Sequence, residues 1–468
     1  MSESRLSPVA SESDEDGPDT KSIAITIVAL TLLGVTWFAS RSAPGSGWTL
    51  AFLTMQVVVI SIVIWQACDP FADAAQWIGE TFRLPGSVRG ATLDAIASSM
   101  PELFSGIFFV VVAVTGTAGG TQAEMEKAGA EGYGSTIATC AGSAVYNMIL
   151  IPAFCALVIS FTRKKRPTID IEDDVITRDG MWFVGSELLL IVFLFQNSME
   201  WWMGAVFLGL YAVYIYHLYW SAGVYRRKMD HLHGHLEVHG VEIEAETVIE
   251  TLRNDGVRVS RALVLKAQVE VMEKLSDDQD EGPPETAGVL FNLFGVPLNH
   301  ATVWIVIGLS TIVSAVACYF LVETTLHMAV QLQVPTFFVA VIVAAAASSV
   351  PDTLLAIGAA RRGDDSGAVS NAFGSNIFDL CICLSIPLFV NAYLTGWEPV
   401  SLTQDGKPMV GLTGLRLLLV ILTALTLAIM WHKRQLTRTK ALVLCGLYCV
   451  FIGYAVLGSL NLLPFSLQ

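Results

Sequence analysis

One six-residue pattern occurs twice in the sequence. Residues 97–102 read Ala-Ser-Ser-Met-Pro-Glu, and residues 347–352 read Ala-Ser-Ser-Val-Pro-Asp. A second pattern follows each copy, with Gly-Ser-Ala-Val-Tyr-Asn at 142–147 and Gly-Ser-Asn-Ile-Phe-Asp at 374–379. All four segments lie within apolar runs, and each combines hydroxyl groups with a carboxylate or an amide. Packing alone does not explain a doubled polar pattern of this kind, so the repeat predicts a shared binding site.

The side chains of these patterns offer oxygen atoms to a cation. Oxygen ligands suit Ca2+ and Na+ and disfavour zinc and copper. Three carboxylates in apolar surroundings must hold cations or protons, because each buried charge costs about 2.5–3.5 kcal/mol even on the lenient insertion scale. A site that must always hold cations or protons, but can hold different ones, is the physical basis of ion exchange. The expected ligands are Glu102, Asp352, Asp379, Asn147, Ser98, Ser99, Ser143, Ser348, Ser349 and Ser375.

Two prolines stand beside the acids of the first pattern. Pro101 and Pro351 each lack an N–H group, so the carbonyl four residues upstream loses its partner. In a membrane such a carbonyl is tolerated where it faces a polar cavity. We therefore expect both prolines to break their helices and to free carbonyls near Ala97 and Ala347. Gly142 and Gly374 would let the partner helices approach closely.

The composition indicates the surroundings of these residues. The chain has 468 residues, of which 53% are hydrophobic and 15% charged; its mean hydropathy is +0.59. Soluble domains have about 25% charged residues. These values exclude a disordered chain, a disulfide scaffold and an ordinary cytosolic enzyme, and they predict a polytopic membrane protein in contact with a lipid bilayer. The net charge of −15 argues against a nucleic-acid partner.

Apolar runs predict an all-α polytopic membrane protein. Setting the first run aside leaves five spans in each half, and an odd number of spans gives the two copies opposite orientations. The predicted fold is thus two inverted five-helix repeats plus one extra N-terminal helix. The eleven predicted spans cover 22–40, 48–68 (extending to 79), 86–118, 134–161, 181–197, 200–224, 300–330, 334–359, 367–394, 411–431 and 440–460.

These spans divide the chain into five parts. We predict a polar acidic tail at 1–21, an extra transmembrane helix at 22–40, a first repeat at 48–224, an acidic loop at 225–297 and a second repeat at 298–468. We expect the first span to be a retained anchor rather than a signal peptide, because a signal peptide has a short basic start.

Basic residues predict the orientation. They concentrate in the loops near Arg89, Arg163 and Arg361, which the positive-inside rule places in the cytosol together with the loop at 225–297. Within that loop the apolar positions Val264, Ala267 and Val271 have helical spacing. His231, His233 and His235 are interpreted as a solvated cluster.

These motifs resemble the two alpha-repeats of the sodium/calcium exchanger superfamily, and most of all its potassium-dependent branch. The resemblance rests on Ala97–Phe104 and on the segments Pro351–Thr353 and Gly363–Asp379. It implies alternating access in which Na+ entry drives Ca2+ out of the cell across the plasma membrane. It also implies that Glu102 and Asp352 are the main Ca2+ carboxylates and that Asn147 and Asp379 flank them.

The resemblance also bears on the other ions. An Asp at position 379 is associated with K+ co-transport in the potassium-dependent branch. Ala97 and Ala347 depart from the family pattern, which has Gly at both positions. No cofactor is expected beyond the transported ions.

The same residues are compatible with other functions. Asp94, eight residues before Glu102, is a candidate vestibule acid or proton carrier, and it keeps open an H+-coupled Ca2+ exchanger of the same fold. An ion channel fits less well, because channels favour rotational symmetry about the pore. An intramembrane aspartyl protease also fits less well, because it needs two Asp residues and the acid of the first repeat is a Glu. Glu187 and Glu323 have no assigned role at this level.

Overall fold

The computed structural model describes most of the chain between residues 19 and 462, and it is predominantly helical. Within that range the description omits residues 44–46, 83, 85, 118, 164–166, 172–174, 242, 255, 258, 260–262, 265–266, 269–270, 272–284, 405–406, 410 and 461.

Twelve helices organise the described residues. Helices α1 and α2 form an antiparallel pair, α3–α6 complete the first half, α7 lies in the segment between the halves, and α8–α12 form the second half. Their bounds are Thr20–Ser42 (α1), Gly47–Thr81 (α2), Gly90–Gly116 (α3), Gln122–Thr162 (α4), Gly180–Leu194 (α5), Trp201–His239 (α6), Ala245–Asn254 (α7), Thr302–Leu332 (α8), Thr336–Arg361 (α9), Asp365–Leu394 (α10), Leu412–Trp431 (α11) and Arg438–Ser459 (α12).

Ten of these helices are long and apolar enough to cross a membrane, counted over the described residues. The predicted span at 181–197 corresponds to α5, which has 15 residues and is preceded by a five-residue π-helical turn at Val175–Asp179. Local signals define several helix starts. The Thr121 hydroxyl and the Glu124 carboxylate form a capping box at α4, and the Asp364 side chain caps α10.

Short strand pairs follow the symmetry of the two halves. Strand β1 (Ile169–Asp170), between the third and fourth spans of the first half, pairs with β8 (Gln435–Leu436), between the fourth and fifth spans of the second. Strand β2 (Ser198–Met199) and strand β5 (Val400–Ser401) form the converse pair. Exchanging the two halves turns one pair into the other, which is the relation that an inverted repeat requires.

Two further antiparallel hairpins lie outside the helices. Strands β3 (Thr286–Val289) and β4 (Phe294–Pro297) form one, and β6 (Thr403–Gln404) and β7 (Lys407–Pro408) form the other. The first hairpin packs on α2, where the Gly288 amide donates a 2.9 Å hydrogen bond to Asp73 Oδ2. This hairpin leads directly into α8.

The segment expected to be a polar loop from 225 onward begins as helix. Helix α6 continues past 224, where we expected it to end, to His239. Met229, Leu232 and Leu236 are buried along this extension, because their helical spacing places them on one face. They pack with an apolar cluster completed by Ala245, Val248, Leu252, Val264, Ala267 and Val271. The helical spacing predicted at 264–271 therefore corresponds to a small core.

The two prolines differ in their effect on the helices. Pro351 occupies the first turn of a new helical segment, Val350–Arg361, after a break at Ser349. Pro101 lies inside an uninterrupted α-helical segment, Ala95–Gly116, so the prediction that it breaks its helix is wrong. A proline removes one hydrogen bond of the helical ladder, and here the flanking bonds keep the backbone helical.

Candidate cation site

The doubled motifs meet in the middle of the helical bundle. Glu102 lies on α3 and Asp352 on α9, while Asn147 and Asp379 lie on α4 and α10. All ten predicted ligand residues have no exposed surface. The structure therefore brings together two helices from each repeat around one buried polar region.

One part of the region is built around Asp352. Its Oδ1 atom accepts 2.5 Å hydrogen bonds from the hydroxyls of Ser98 and Ser375, and these two hydroxyl oxygens are 3.3 Å apart. Ser98 belongs to the first repeat, whereas Ser375 and Asp352 belong to the second. The carboxylate is thus held by one serine from each repeat.

The other part is built around the Ser143 hydroxyl. This oxygen lies 3.2 Å from Glu102 Oε1, 2.9 Å from Asp379 Oδ2 and 2.9 Å from Ser349 Oγ. A serine has one O–H, so it can donate to one of these acceptors at a time. The two acids beside it therefore compete for a single hydroxyl proton and need further positive charge. The amide of Asn147 donates to the same hydroxyl at 3.2 Å.

Four oxygen atoms of the predicted ligands are buried and have no hydrogen-bond partner among the described residues. They are Glu102 Oε2, Asp352 Oδ2, Asn147 Oδ1 and Ser99 Oγ. A buried polar atom without a partner is costly unless an ion or a water satisfies it. These oxygens are the ones available to a hard cation.

Two of the predicted ligands differ in their contacts. The Ser348 hydroxyl donates to the Ala345 carbonyl of its own helix at 3.2 Å. The Ser99 hydroxyl is buried without a hydrogen-bond partner, and the Ser99 carbonyl accepts a 3.7 Å contact from the Cys383 thiol of the other repeat. Among the described residues, no group of three or more His, Cys, Asp or Glu side chains is arranged to hold a metal ion by itself. Any ion bound here needs hydroxyl, amide or carbonyl oxygens in addition to the acids.

The glycines of the second pattern allow the helices to approach. A Cβ atom on Gly142 would lie 2.3 Å from the Val341 carbonyl oxygen, and one on Gly374 would lie 2.6 Å from Ala91 Cα. Both contacts fall on π-helical turns of the opposite repeat, Ala340–Ala344 and Gly90–Asp94. Each repeat therefore inserts its glycine into an irregular turn of the other.

The π-helical turns were not predicted from the sequence. Two of them end eight residues before Glu102 and Asp352, and a third begins at Asp379 and ends at Cys383. Such turns are frequent at functional sites.

Cys383 is a further residue beside the site that the sequence analysis does not identify. Its thiol lies 3.7 Å from Asp379 Oδ1, and the spacing of four residues on a helix was the signal that could have found it.

Asp94 lies outside this polar region, at the end of the bundle that carries Arg89. Arg89 Nε is 3.2 Å from Asp94 Oδ2, and its Nη2 is 3.4 Å from Asp364 Oδ2. Burial disfavours the charge on Arg89, yet the two adjacent carboxylates raise its pKa above the ordinary value. Asp94 is therefore the partner of a charged guanidinium.

A second arginine holds the same end of the molecule. Arg163, directly after α4, makes bonds of 2.7 and 3.1 Å to the two oxygens of Asp365 and also donates to the Ala360 carbonyl. Together, Arg89 and Arg163 fix both ends of the turn between α9 and α10. The basic clusters of the sequence gave no indication of these specific acidic partners.

Comparison with known proteins agrees with this architecture. Two solved structures share the fold, a protein described as the H+/Ca2+ exchanger CAX and native YfkE. The first has a TM-score of 0.54 at 15% identity and covers 95% of this chain and 89% of its own. The second has a TM-score of 0.52 at 14% identity and covers 94% and 99%.

Sequence relatives carry the names of potassium-dependent exchangers. Human sodium/potassium/calcium exchanger 5 is 23% identical over 91% of this chain and 85% of its own length. Sodium/potassium/calcium exchanger 2 of Gallus gallus is 20% identical over 86% and 76%. The resemblance to the potassium-dependent branch is thereby confirmed.

The family model matches most of the membrane region. The model described as sodium/calcium exchanger protein covers residues 52–220 and 302–457, which correspond to the two repeats and leave out α1 and the segment between the halves. With its inverted five-helix repeats and its doubled acidic motifs, the chain belongs to the sodium/calcium exchanger protein family.

Proposed function

We propose that this protein exchanges Na+ for Ca2+ by alternating access and carries K+ together with Ca2+. Glu102 and Asp352 are the main Ca2+ carboxylates, and Asn147 and Asp379 flank them. The observation that carries the proposal is the set of buried unpartnered oxygens, one each on Glu102, Asp352, Asn147 and Ser99. They come from both repeats and lie among serine hydroxyls, which suits a hard cation such as Ca2+ or Na+.

The charge of the site supports exchange. Glu102, Asp352 and Asp379 are fully buried, and no Lys or Arg forms an ion pair with them among the described residues. Three negative charges are balanced by one Ca2+ and one monovalent ion, or by three Na+. If the site changed sides without bound ions, its carboxylates would place uncompensated charge in the membrane interior. The site therefore changes sides only when it is loaded, which couples the two ion fluxes.

Asp379 is the residue assigned to K+. Its carboxylate shares the Ser143 hydroxyl with Glu102, so it adds a negative charge at the edge of the Ca2+ site. An additional monovalent cation placed there balances this charge. The names of the sodium/potassium/calcium exchanger relatives support this assignment.

The proton-coupled alternative depends on a titratable group that is free to exchange protons along the path. Asp94 was the candidate, but it pairs with Arg89, which also contacts Asp364. A carboxylate neutralised by arginine is a poor proton carrier. The likeness to the H+/Ca2+ exchanger CAX concerns the fold, so Na+ remains the proposed coupling ion.

We assign Arg89 and Arg163 to a gate on the cytosolic side. Both arginines lie at loops that the positive-inside rule places in the cytosol, which also places the segment between the two halves there. Their pairs with Asp364 and Asp365 fasten the turn between α9 and α10, the helices that carry Asp352 and Asp379. Opening toward the cytosol requires these ion pairs to break. The membrane in which we propose that the protein works is the plasma membrane.

Flux measurements on the purified protein test the proposal. Proteoliposomes loaded with Na+ are placed in 45Ca2+ with equal pH on both sides and varied external K+. We expect uptake that requires internal Na+ and increases with external K+. Uptake of 45Ca2+ that is independent of internal Na+ and is driven by an imposed pH gradient would contradict the proposal and favour proton coupling.

A further inference from the structure

One buried acid takes no part in the site described above. Glu187 lies on α5, and its side chain is 3% exposed. Its Oε1 accepts a 2.8 Å hydrogen bond from the Thr423 hydroxyl on α11. Because α5 and α11 are the fourth spans of the two repeats, this bond joins equivalent helices across the symmetry of the fold.

Glu187 and Thr423 line a small cavity against α4. The cavity has a volume of about 10 Å3, which is at most the space of one water molecule. The rest of its lining is apolar and includes Val145 and Met148, which flank the candidate ligand Asn147 along α4. The acid therefore faces a nearly dry space beside a helix of the cation site.

Among the described residues, no ion pair to Glu187 compensates a negative charge. The hydrogen-bond partner of its carboxyl group is the Thr423 hydroxyl. The parts of α4 and α11 that line the cavity bring no titratable side chain to it. On the other helices packed against α5, the Cys381 thiol contacts Ser186 and the Tyr214 ring contacts Trp182.

The size of the cavity and the number of oxygens define what can bind. A Ca2+ ion takes six to eight oxygen ligands, whereas one carboxyl group and one hydroxyl are present here. An unpaired carboxylate within the bilayer is costly. A proton needs a single oxygen and no additional space, so it is the ligand that fits.

We propose that Glu187 binds a proton and keeps it throughout the transport cycle, which makes it a proton site separate from the cation site. The neutral carboxyl holds α5 against α11 through Thr423. Loss of the proton would place an uncompensated charge beside the α4 segment that carries Asn147. The protein therefore loses stability as the proton is removed, whatever ions it exchanges.

Thermal unfolding in detergent tests this site without relying on transport. A folded state that retains a proton which the unfolded chain releases becomes less stable as pH rises. The unfolded glutamate ionises from about pH 4.3 upward. From there up to the pH at which the folded Glu187 ionises, we expect the unfolding midpoint of the wild type to fall relative to that of Glu187→Gln, which is neutral at every pH. Glu131→Gln, at an exposed acid of α4, is the matched control and should follow the wild type.

Infrared spectroscopy tests the protonated state of Glu187 independently of stability. The infrared C=O band of a protonated carboxyl should disappear in Glu187→Gln and should not respond to Ca2+, unlike any band from Glu102 or Asp352. Should Glu187→Gln fail to fold, Glu187→Met fills a similar volume without a titratable group and serves the same purpose. An identical pH dependence in wild type and variant, or a variant that folds but has an altered dependence on Na+ or Ca2+, would overturn the proposal.

Discussion

Ser98 donates a 2.5 Å hydrogen bond to Oδ1 of Asp352, a residue that follows it by 254 positions in the chain. Ser375 donates to the same oxygen from the second repeat, and its hydroxyl oxygen lies 3.3 Å from that of Ser98. The acid of one repeat is thus oriented by both repeats. This arrangement leaves the other carboxylate oxygen, Oδ2, free for a cation.

Replacing either serine should weaken Ca2+ binding. A hydrogen bond to a charged group contributes about 1.5–3 kcal/mol, so Ser98→Ala and Ser375→Ala should each raise the Ca2+ concentration for half-maximal uptake by about tenfold or more. Ser61→Ala is a matched control, because Ser61 is also a buried serine of a membrane helix and donates only to the Val57 carbonyl of its own helix. Unchanged Ca2+ dependence in both variants would argue against Asp352 as a ligand.

The K+ assignment predicts a selective effect at Asp379. Asp379→Asn removes the charge that K+ is proposed to balance while keeping an acceptor for the Ser143 hydroxyl. We expect 45Ca2+ uptake that no longer responds to K+ but retains part of its Na+ dependence. If K+ still activates this variant as it does the wild type, Asp379 does not hold K+.

The close contacts at the two glycines predict steric damage. An added methyl on Gly142 or Gly374 would meet backbone atoms of the opposite repeat at 2.3 and 2.6 Å, where no flexible side chain can move aside. Overpacking of this kind typically costs about 1–3 kcal/mol, so both alanine variants should unfold at lower temperature in detergent. Gly185→Ala on α5 is the control, since its Cβ would meet nothing within 4 Å. Variants as stable as this control would show that the helices are further apart than described.

The arginine gate predicts altered access to the site. The partly exposed ion pair between Arg163 and Asp365 contributes about 1 kcal/mol. Arg163→Gln should therefore increase the population of the state that is open to the cytosol about fivefold. The buried thiol of Cys383, beside Asp379, reports this as faster modification by a membrane-impermeant reagent, measured on its peptide by mass spectrometry. The exchange of charges in Arg163→Asp with Asp365→Arg should restore slow labelling. Equal labelling in the wild type and Arg163→Gln would exclude Arg163 from the gate.

Much of this arrangement could be predicted from sequence because the motifs are doubled. Glu102 and Asp352 were identified as partners from six-residue patterns, and the helices around them follow from apolar runs. The π-helical turns were missed because their residues, such as Ala340–Ala344, are equally compatible with an α-helix. Pro101 does not break its helix as the sequence predicts, because the effect of a proline on the backbone depends on the packing around the helix. Cross-repeat pairs such as Arg163 with Asp365 require tertiary structure.

The proposed cation site depends most on the acids Glu102 and Asp352, and 45Ca2+ uptake by Na+-loaded proteoliposomes tests them most directly. Glu102→Gln and Asp352→Asn should each abolish Na+-dependent uptake, because each removes the negative charge of a carboxylate that carries a buried unpartnered oxygen. Glu131→Gln, at an exposed position of α4, should transport like the wild type. Normal uptake by either site variant, at equal amounts of folded protein, would contradict the assignment of the cation site.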